Sequence, residues 1–264
     1  MQTATCTFNT LGVSETLLRD LTKAGFLNPT SIQAQAIPHA LQGRDVLGCA
    51  QTGTGKTGAF VVPMIERLAA GPKGKPRALV LVPTRELAIQ VQGVIDQLGR
   101  SSRIYATTLV GGADMQAQVR GLRQNPDILV ATPGRLLDHM WNGTVSLLPM
   151  QILVMDEADR MLDMGFAPQI NQILEAMPEE RQTLLFSATM PADLNQLARA
   201  SVKNPVHVMV AKPATTASGV TQAVHHTTHD SKVNLLVSLL GQDKDSVLVF
   251  TRTKHRAEIG RAHV

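Results

Sequence analysis

The sequence predicts an α/β fold, a doubly wound parallel sheet with helices on both faces. Short apolar runs alternate with helix-period segments between residues 45 and 210, the pattern of repeated strand–helix–strand units. Several of the runs are apolar at every position, as strands covered on both faces must be. Hydrophobic residues make up 44% of the chain but aromatics only 3%, so aliphatic side chains must fill the interior.

In chain order, the runs that predict strands are 45–50, 78–83, 105–110, 127–131, 152–156, 183–187 and 206–210. Between them, apolar residues recur at helical spacing in 86–98, 115–123, 168–176 and 192–200. In open parallel sheets, ligands sit beyond the carboxyl ends of the strands. The segments just past each run are therefore the ones to read for chemistry. Beyond 210 the composition shifts: 211–219 is rich in Ala, Thr, Ser, Lys and Pro and reads as a linker. After it come a strand-like 221–228, a helix-like 232–240 and a buried-strand pattern at 246–251. This is the start of a second domain, too short to form its own core.

The chain has 264 residues and a net charge of +4, with a pI of about 9.3. That mild basicity suits an acidic partner such as nucleic acid and suits an ordinary surface equally well. Cys6 and Cys49 give neither a disulfide framework nor metal-ligand spacing. The sequence carries no signal peptide and no apolar run long enough to span a bilayer, so a cytoplasmic protein is expected. The last residues, Glu258-Ile259-Gly260-Arg261-Ala262-His263-Val264, are what GAG-ATC-GGA-AGA-GCA-CAC-GTC encodes, a string resembling a common sequencing adapter. Read-through is the expectation for 258–264, with a different natural continuation.

The most informative stretch is Ala50-Gln51-Thr52-Gly53-Thr54-Gly55-Lys56-Thr57, which follows an apolar run and precedes a helix pattern. Glycines there let successive backbone N–H groups turn toward a polyphosphate, and the new helix adds its positive end. Lys56 can reach the outer phosphates, and the Thr57 hydroxyl can bind a magnesium ion. Asp156-Glu157-Ala158-Asp159 follows the run Ile152-Leu153-Val154-Met155. A carboxylate at the tip of a buried strand beside a phosphate loop is where magnesium needs an oxygen ligand, and Asp156 is placed for it, through water. Glu157 is suited to orient or deprotonate the water that attacks the γ-phosphate. The plainer alternative is a solvated acidic turn capping the next helix.

With that tetrad the chain resembles a DEAD-box RNA helicase, from Phe8 to about Lys254. Six motifs stand in the family's order: A-x-T-G-x-G-K-T at 50–57, P-T-R-E-L-A at 83–88, G-G at 111–112, T-P-G-R at 132–135, D-E-A-D at 156–159 and S-A-T at 187–189. The wording is closest to bacterial members, among them the RhlE-like group. Val247-Leu248-Val249-Phe250-Thr251-Arg252 resembles the motif opening the second helicase domain. The resemblance implies a RecA-like ATP-binding domain over 35–210, preceded by an adenine-sensing region over 1–34. A linker at 211–220 and a truncated second RecA-like domain at 221–257 complete the division.

The adenine-sensing region rests on Gly25-Phe26-Leu27-Asn28-Pro29-Thr30-Ser31-Ile32-Gln33. The Gln33 amide offers a donor and an acceptor together, matching adenine. Phe26 offers a face for stacking, and Phe8 resembles the upstream aromatic that supports the motif. The resemblance thus implies ATP, with Mg2+, bound by these residues and by Gln51, Thr52, Gly53, Thr54, Gly55, Lys56 and Thr57. Catalysis falls to Glu157 with Lys56 and Asp156, and the metal to Thr57 and Asp156.

Ser187 and Thr189 can offer hydroxyls to a neighbouring carboxylate. The resemblance makes them, with Asp159, the coupling between the acidic turn and RNA-dependent domain movement; from the residues alone Thr189 could equally cap the helix before Pro191. Pro83-Thr84-Arg85, Gly111-Gly112 and Thr132-Pro133-Gly134-Arg135 read by themselves as caps and turns. With the resemblance they form a track for the phosphates of one RNA strand, bound without regard to sequence.

Other residues invite less. His225, His226 and His229 lack metal-type partners and read as an exposed strand. Trp141 reads as loop packing, and Met155, Met161 and Met164 as core filler. Two functions follow: RNA-stimulated ATP hydrolysis coupled to duplex unwinding in the complete protein, or an ATP- and RNA-binding module with little turnover, since the second-lobe arginines are missing here. A metabolic kinase would leave S-A-T and P-T-R-E-L-A without purpose. A monomer is expected.

Overall fold

The computed structural model describes residues 6–210, 221, 223–228, 230–241 and 247–251. It divides into two units, Met1–Lys212 and Pro213–Val264. The first is built on one seven-stranded sheet of β1 (Val46–Cys49), β2 (Ala78–Leu81), β3 (Ala106–Leu109), β4 (Ile128–Ala131), β5 (Ile152–Met155), β6 (Gln182–Ser187) and β7 (Val206–Met209). Every pairing is parallel, and the order across the sheet is β3-β4-β2-β5-β6-β1-β7.

The helices of this unit are α1 (Glu15–Lys23), α2 (Ser31–Leu41), α3 (Lys56–Ala69), α4 (Arg85–Leu98), α5 (Met115–Leu122), α6 (Pro133–Trp141), α7 (Ala158–Asp163), α8 (Ala167–Glu175) and α9 (Ala192–Ser201). They cover both faces of the sheet, and alternation along the strands shows how. Val46, Val80, Val130 and Val154 join a core with Phe8, Leu17, Ile32, Phe60 and Val91 from the N-terminal segment and α1–α4. Their neighbours Leu47, Leu79, Leu129 and Leu153 join a second core with Leu136, Met161, Ile170 and Leu194 from α6–α9. Side chains on a strand alternate faces, so a strand that is apolar throughout feeds two cores. The predicted doubly wound parallel sheet is the observed one, and residues 8–41 pack into the first core rather than standing apart.

Buried polar groups fix the starts of the strands. Asp45 accepts from the Thr183 N–H at 2.8 Å and from the Lys203 N–H at 2.6 Å. The Gln182 amide donates to the Ala40 and Arg44 carbonyls. Arg77 Nη2 lies 2.9 Å from Asp127 Oδ1, with both side chains almost wholly buried. It also donates to the Leu68 carbonyl at 3.0 Å, joining the end of α3 to the starts of β2 and β4.

The second unit differs from the sequence expectation. Lys232–Leu240 is a helix, α10, as the periodicity predicts. The described residues of 221–228 and 247–251 are not strands, and Val247, Leu248, Val249 and Phe250 are exposed rather than buried. A strand needs a neighbour to take its backbone hydrogen bonds, and the described residues of this unit supply none. His225 and His226 are exposed as expected but lie on no strand. The proposed linker at 211–219, His229, Arg252 and the suspected read-through at 258–264 lie outside the described residues.

Candidate functional site

The loop after β1 turns through two glycines with left-handed backbone, Gly53 (φ 81°) and Gly55 (φ 92°). Gly55 caps α3, and a helix's first N–H groups have no acceptor within the helix. The Thr54 hydroxyl donates to the Gln51 carbonyl at 2.7 Å and closes the turn on itself. Lys56, only 6% exposed, donates Nζ to the Ala50 carbonyl at 2.9 Å, folding its charge back over the loop. Gln51, Thr52 and Gly53 are exposed and Thr57 is half-buried. Left-handed glycines, the open start of a helix and a buried lysine thus stand together, the features that favour binding of an anion.

Phe26 and Gln33 lie against this loop. Gln33 is buried and donates Nε2 to the Gly55 carbonyl at 2.9 Å while Oε1 accepts from the Thr30 N–H at 3.0 Å. A Cβ on Gly55 or on Gly58 would sit 2.6 Å from Gln33 Nε2, and one on Gly58 would sit 3.3 Å from Phe26. Both glycines are thus required by close approach. Gln33 thus spends one N–H on the loop and one lone pair on the N-cap of its own helix, which leaves one N–H and one lone pair for a ligand. Phe8 is buried in the core beneath.

At the tip of β5, Asp156 is 3% exposed. Burial pushes its carboxyl up to about 6, against the opposing pull of Lys56. Glu157 follows with φ 50° and ψ 47°, a left-handed conformation that costs a residue with a Cβ about 1–2 kcal/mol. Strain of this kind is a mark of functional sites. Glu157 donates its N–H to Asp156 Oδ1 at 2.9 Å, and its carboxylate meets Arg160 Nη1 at 3.1 Å.

The Asp156 shift has a testable consequence. Its folded-state pKa is raised, so between about pH 4 and 6 the folded chain holds a proton that the unfolded chain releases. Stability therefore falls as pH rises through that window and stays lower above it. Asp156→Asn should raise the unfolding free energy at pH 7.5 by about 1–3 kcal/mol with little gain at pH 4. Urea melts at the two pH values check this, and equal shifts at both would refute it.

Asp159 turns toward β6. Its Oδ2 accepts from the Thr189 hydroxyl at 2.8 Å, the Thr189 N–H at 2.9 Å and the Ala188 N–H at 3.2 Å. Burial would raise its pKa, but hydrogen bonds from Thr189 and Ser187 more than offset this and hold it low. Ser187 also donates to the Thr189 carbonyl at 2.6 Å. Thr189 does not cap the following helix: Pro191 occupies the N-cap of α9, and the Thr189 hydroxyl is spent on Asp159.

The sheet order sorts the six segments into two groups. β5, β6 and β1 are neighbours, so the acidic turn, Ser187-Ala188-Thr189 and the glycine loop share one side. β3, β4 and β2 are neighbours and collect the other three. Thr84 caps α4 by accepting from the Leu87 N–H, with buried Pro83 before it and exposed Arg85 after it. Thr132 is the N-cap of α6 and Pro133 its first residue. Gly111 and Gly112 are exposed, and a Cβ on either would meet only open space. Gly134 is equally open. Arg135 is not a free cation, since Nη1 donates to the Ala113 carbonyl at 2.9 Å and Nε lies 3.4 Å from Asp138.

Residues 30–197, more than half of the chain, match the model of the family described as DEAD/DEAH box helicase. The chain belongs to the DEAD/DEAH box helicase family. It is 47% identical over 253 residues to a protein of Mycosarcoma maydis named ATP-dependent rRNA helicase RRP3, which covers 95% of this chain and 45% of that protein. It is 42% identical to a Bacillus cereus protein named DEAD-box ATP-dependent RNA helicase CshA, covering 96% of this chain and 48% of that one. A solved DEAD box protein from Methanococcus jannaschii superposes with a TM-score of 0.73 at 33% identity, covering 97% of this chain and 69% of its own. The chain thus spans about half the length of the curated relatives it matches.

Two further features of this DEAD/DEAH box chain escaped sequence reading. Gln118, inside the helix pattern at 115–123, and His139, in α6, are buried polar residues outside every motif. Trp141, expected to pack in a loop, ends α6 with 72% of its surface exposed. Met155 and Met161 are core residues as expected, whereas Met164 is 49% exposed. Among the described residues no cluster of three or more His, Cys, Asp or Glu could hold a metal by itself. No helix described is long and apolar enough to cross a membrane.

Proposed function

We propose that this chain is the nucleotide-binding part of an ATP-driven RNA helicase, in which hydrolysis at β5–β6–β1 is tied to RNA held at β3–β4–β2. The observation that carries this reading is the sorting of six motif segments into two adjoining groups at one edge of one sheet. ATP is held by Gln51 to Thr57, with Phe26, Gln33 and Phe8 reading or supporting the adenine. Glu157 orients and deprotonates the attacking water, and its strained backbone fixes the direction of its carboxylate. Lys56 stabilises charge on the phosphates.

The donor set suits magnesium as well. Asp156 is a buried carboxyl at the tip of β5, and a nucleotide-bound magnesium needs only one or two protein ligands. Thr57 and Asp156 would hold it, and it would neutralise the phosphates. The Asp159–Thr189 link joins the acidic turn to the segment that reports on RNA. Pro83, Thr84, Arg85, Gly111, Gly112, Thr132, Pro133, Gly134 and Arg135 hold the phosphates of one strand without reading bases. Two unpaired cysteines suit a reducing, cytoplasmic setting.

ATP turnover with and without single-stranded RNA tests the reading. RNA stimulation, weak here and stronger in a protein with a complete second domain, supports it. Transfer of phosphate to a small-molecule acceptor instead of water would overturn it. The measurement also decides between hydrolysis and a binding module with little turnover.

A further inference from the structure

We infer that His139 and Gln118 are positioning residues that clamp the Gly111-Gly112 turn to α6, so that the turn and Thr132-Pro133-Gly134-Arg135 present their phosphate donors as one rigid unit. The inference rests on the RNA reading proposed above and adds two residues that lie in none of the motifs.

His139 stands one turn after Arg135 on α6, so both side chains project from the same face of that helix. His139 is fully buried. Its Nε2 lies 3.1 Å from Gln118 Oε1 on α5, and its Nδ1 lies 2.8 Å from the Thr144 hydroxyl. Gln118 in turn grips the end of β3 with both halves of its amide. Oε1 accepts from the Val110 N–H at 3.2 Å, and Nε2 donates to the Val110 carbonyl at 3.0 Å.

That pair of bonds fixes which end of the Gln118 amide is oxygen, and therefore fixes His139 Nε2 as a donor. Arg135 holds the far side of the turn through the Ala113 carbonyl at 2.9 Å. The two glycines are thus bracketed: Val110 is held through Gln118 and His139, and Ala113 directly by Arg135. Both clamps originate on the helix that carries Thr132-Pro133-Gly134-Arg135.

Glycines by themselves give a turn many conformations. A bracket at each side removes that freedom before a ligand arrives, which is how preorganisation raises affinity. Without the His139 arm, Gln118 still holds Val110 but is no longer tied to α6, and the turn regains motion relative to that helix.

The test compares His139→Phe, which keeps ring bulk and loses both hydrogen bonds, with His139→Gln, which restores a donor toward Gln118. Gln118→Met breaks the same clamp from α5 and serves if His139→Phe does not fold. Binding of a labelled oligouridine and of an ATP analogue is measured for each, with hydrogen exchange of the peptide spanning residues 109–114. The expected result is about tenfold weaker oligouridine binding for His139→Phe and Gln118→Met, faster exchange at Val110, unchanged nucleotide affinity, and recovery in His139→Gln. A merely structural residue would weaken both ligands together or neither, and either pattern overturns the inference. Failure of the unmodified chain to bind oligouridine would instead overturn the RNA reading itself. The two failures are thereby distinguished.

Discussion

Glu157→Gln should lower ATP turnover by about 10²–10⁴-fold, the range for loss of a positioned general base, while ATP analogues still bind. The carboxylate is held by a left-handed backbone at the tip of β5 and steered by Arg160 at 3.1 Å. Glutamine keeps the shape and hydrogen bonding of that side chain but cannot take a proton. Lys56→Ala should fail one step earlier. Its Nζ is folded over the glycine loop against the Ala50 carbonyl, and its removal deletes a buried cation beside the loop proposed to hold the phosphates. Single-turnover hydrolysis with excess protein separates the two: Glu157→Gln binds without turning over, and Lys56→Ala scarcely binds. Undiminished hydrolysis in Glu157→Gln would give the role to another carboxylate.

Arg77→Met should cost about 3–5 kcal/mol of unfolding free energy, the range for breaking a buried ion pair from one side. Arg77 is 1% exposed and Asp127 3%. Asp127 also accepts from the Tyr105 N–H, so it cannot turn to solvent when its partner goes. The loss comes from stranding that charge, not from the worth of the pair. Adding Asp127→Asn to Arg77→Met should therefore return much of the stability, since asparagine still accepts from Tyr105 and carries no charge. Urea unfolding of the single and double variants measures this coupling. A single-variant loss below about 1 kcal/mol would mean that water reaches the pair. Because Arg77 sits at the starts of the strands, away from their carboxyl ends, nucleotide binding should be unaffected in variants that remain folded.

Much of the site could be read without coordinates, for identifiable reasons. The glycines at 53 and 55, the carboxylates after β5 and the hydroxyls after β6 are local patterns, each fixed by a strand end and the turn that follows. Such patterns survive in one dimension because the chemistry needs neighbours in sequence. What could not be read comes from pairings distant in sequence. Gln33 spends one amide N–H on Gly55, and Arg135 spends part of its guanidinium on Ala113. Neither engagement leaves a trace in residue spacing. His139 and Gln118 were invisible for the same reason, since a polar residue in a helix pattern reads as surface until its burial is known. The strands expected at 221–228 and 246–251 rest on local apolar pattern and, at 247–252, on resemblance. A strand is stable only with a partner, and composition does not supply one.

The sequence by itself determined the fold class, the places of β1–β7 to within two residues and the glycine-rich and acidic segments that follow β1 and β5, because strand and helix periods and turn chemistry act over a few residues. Only the tertiary structure decided the order β3-β4-β2-β5-β6-β1-β7. Crossover helices can return a strand to either side of its predecessor, and which side is set by packing of whole elements rather than by local preference. That order gathers the glycine loop, the acidic turn and Ser187-Ala188-Thr189 on one side and the segments after β2, β3 and β4 on the other, and it sets Asp159 within 2.8 Å of Thr189.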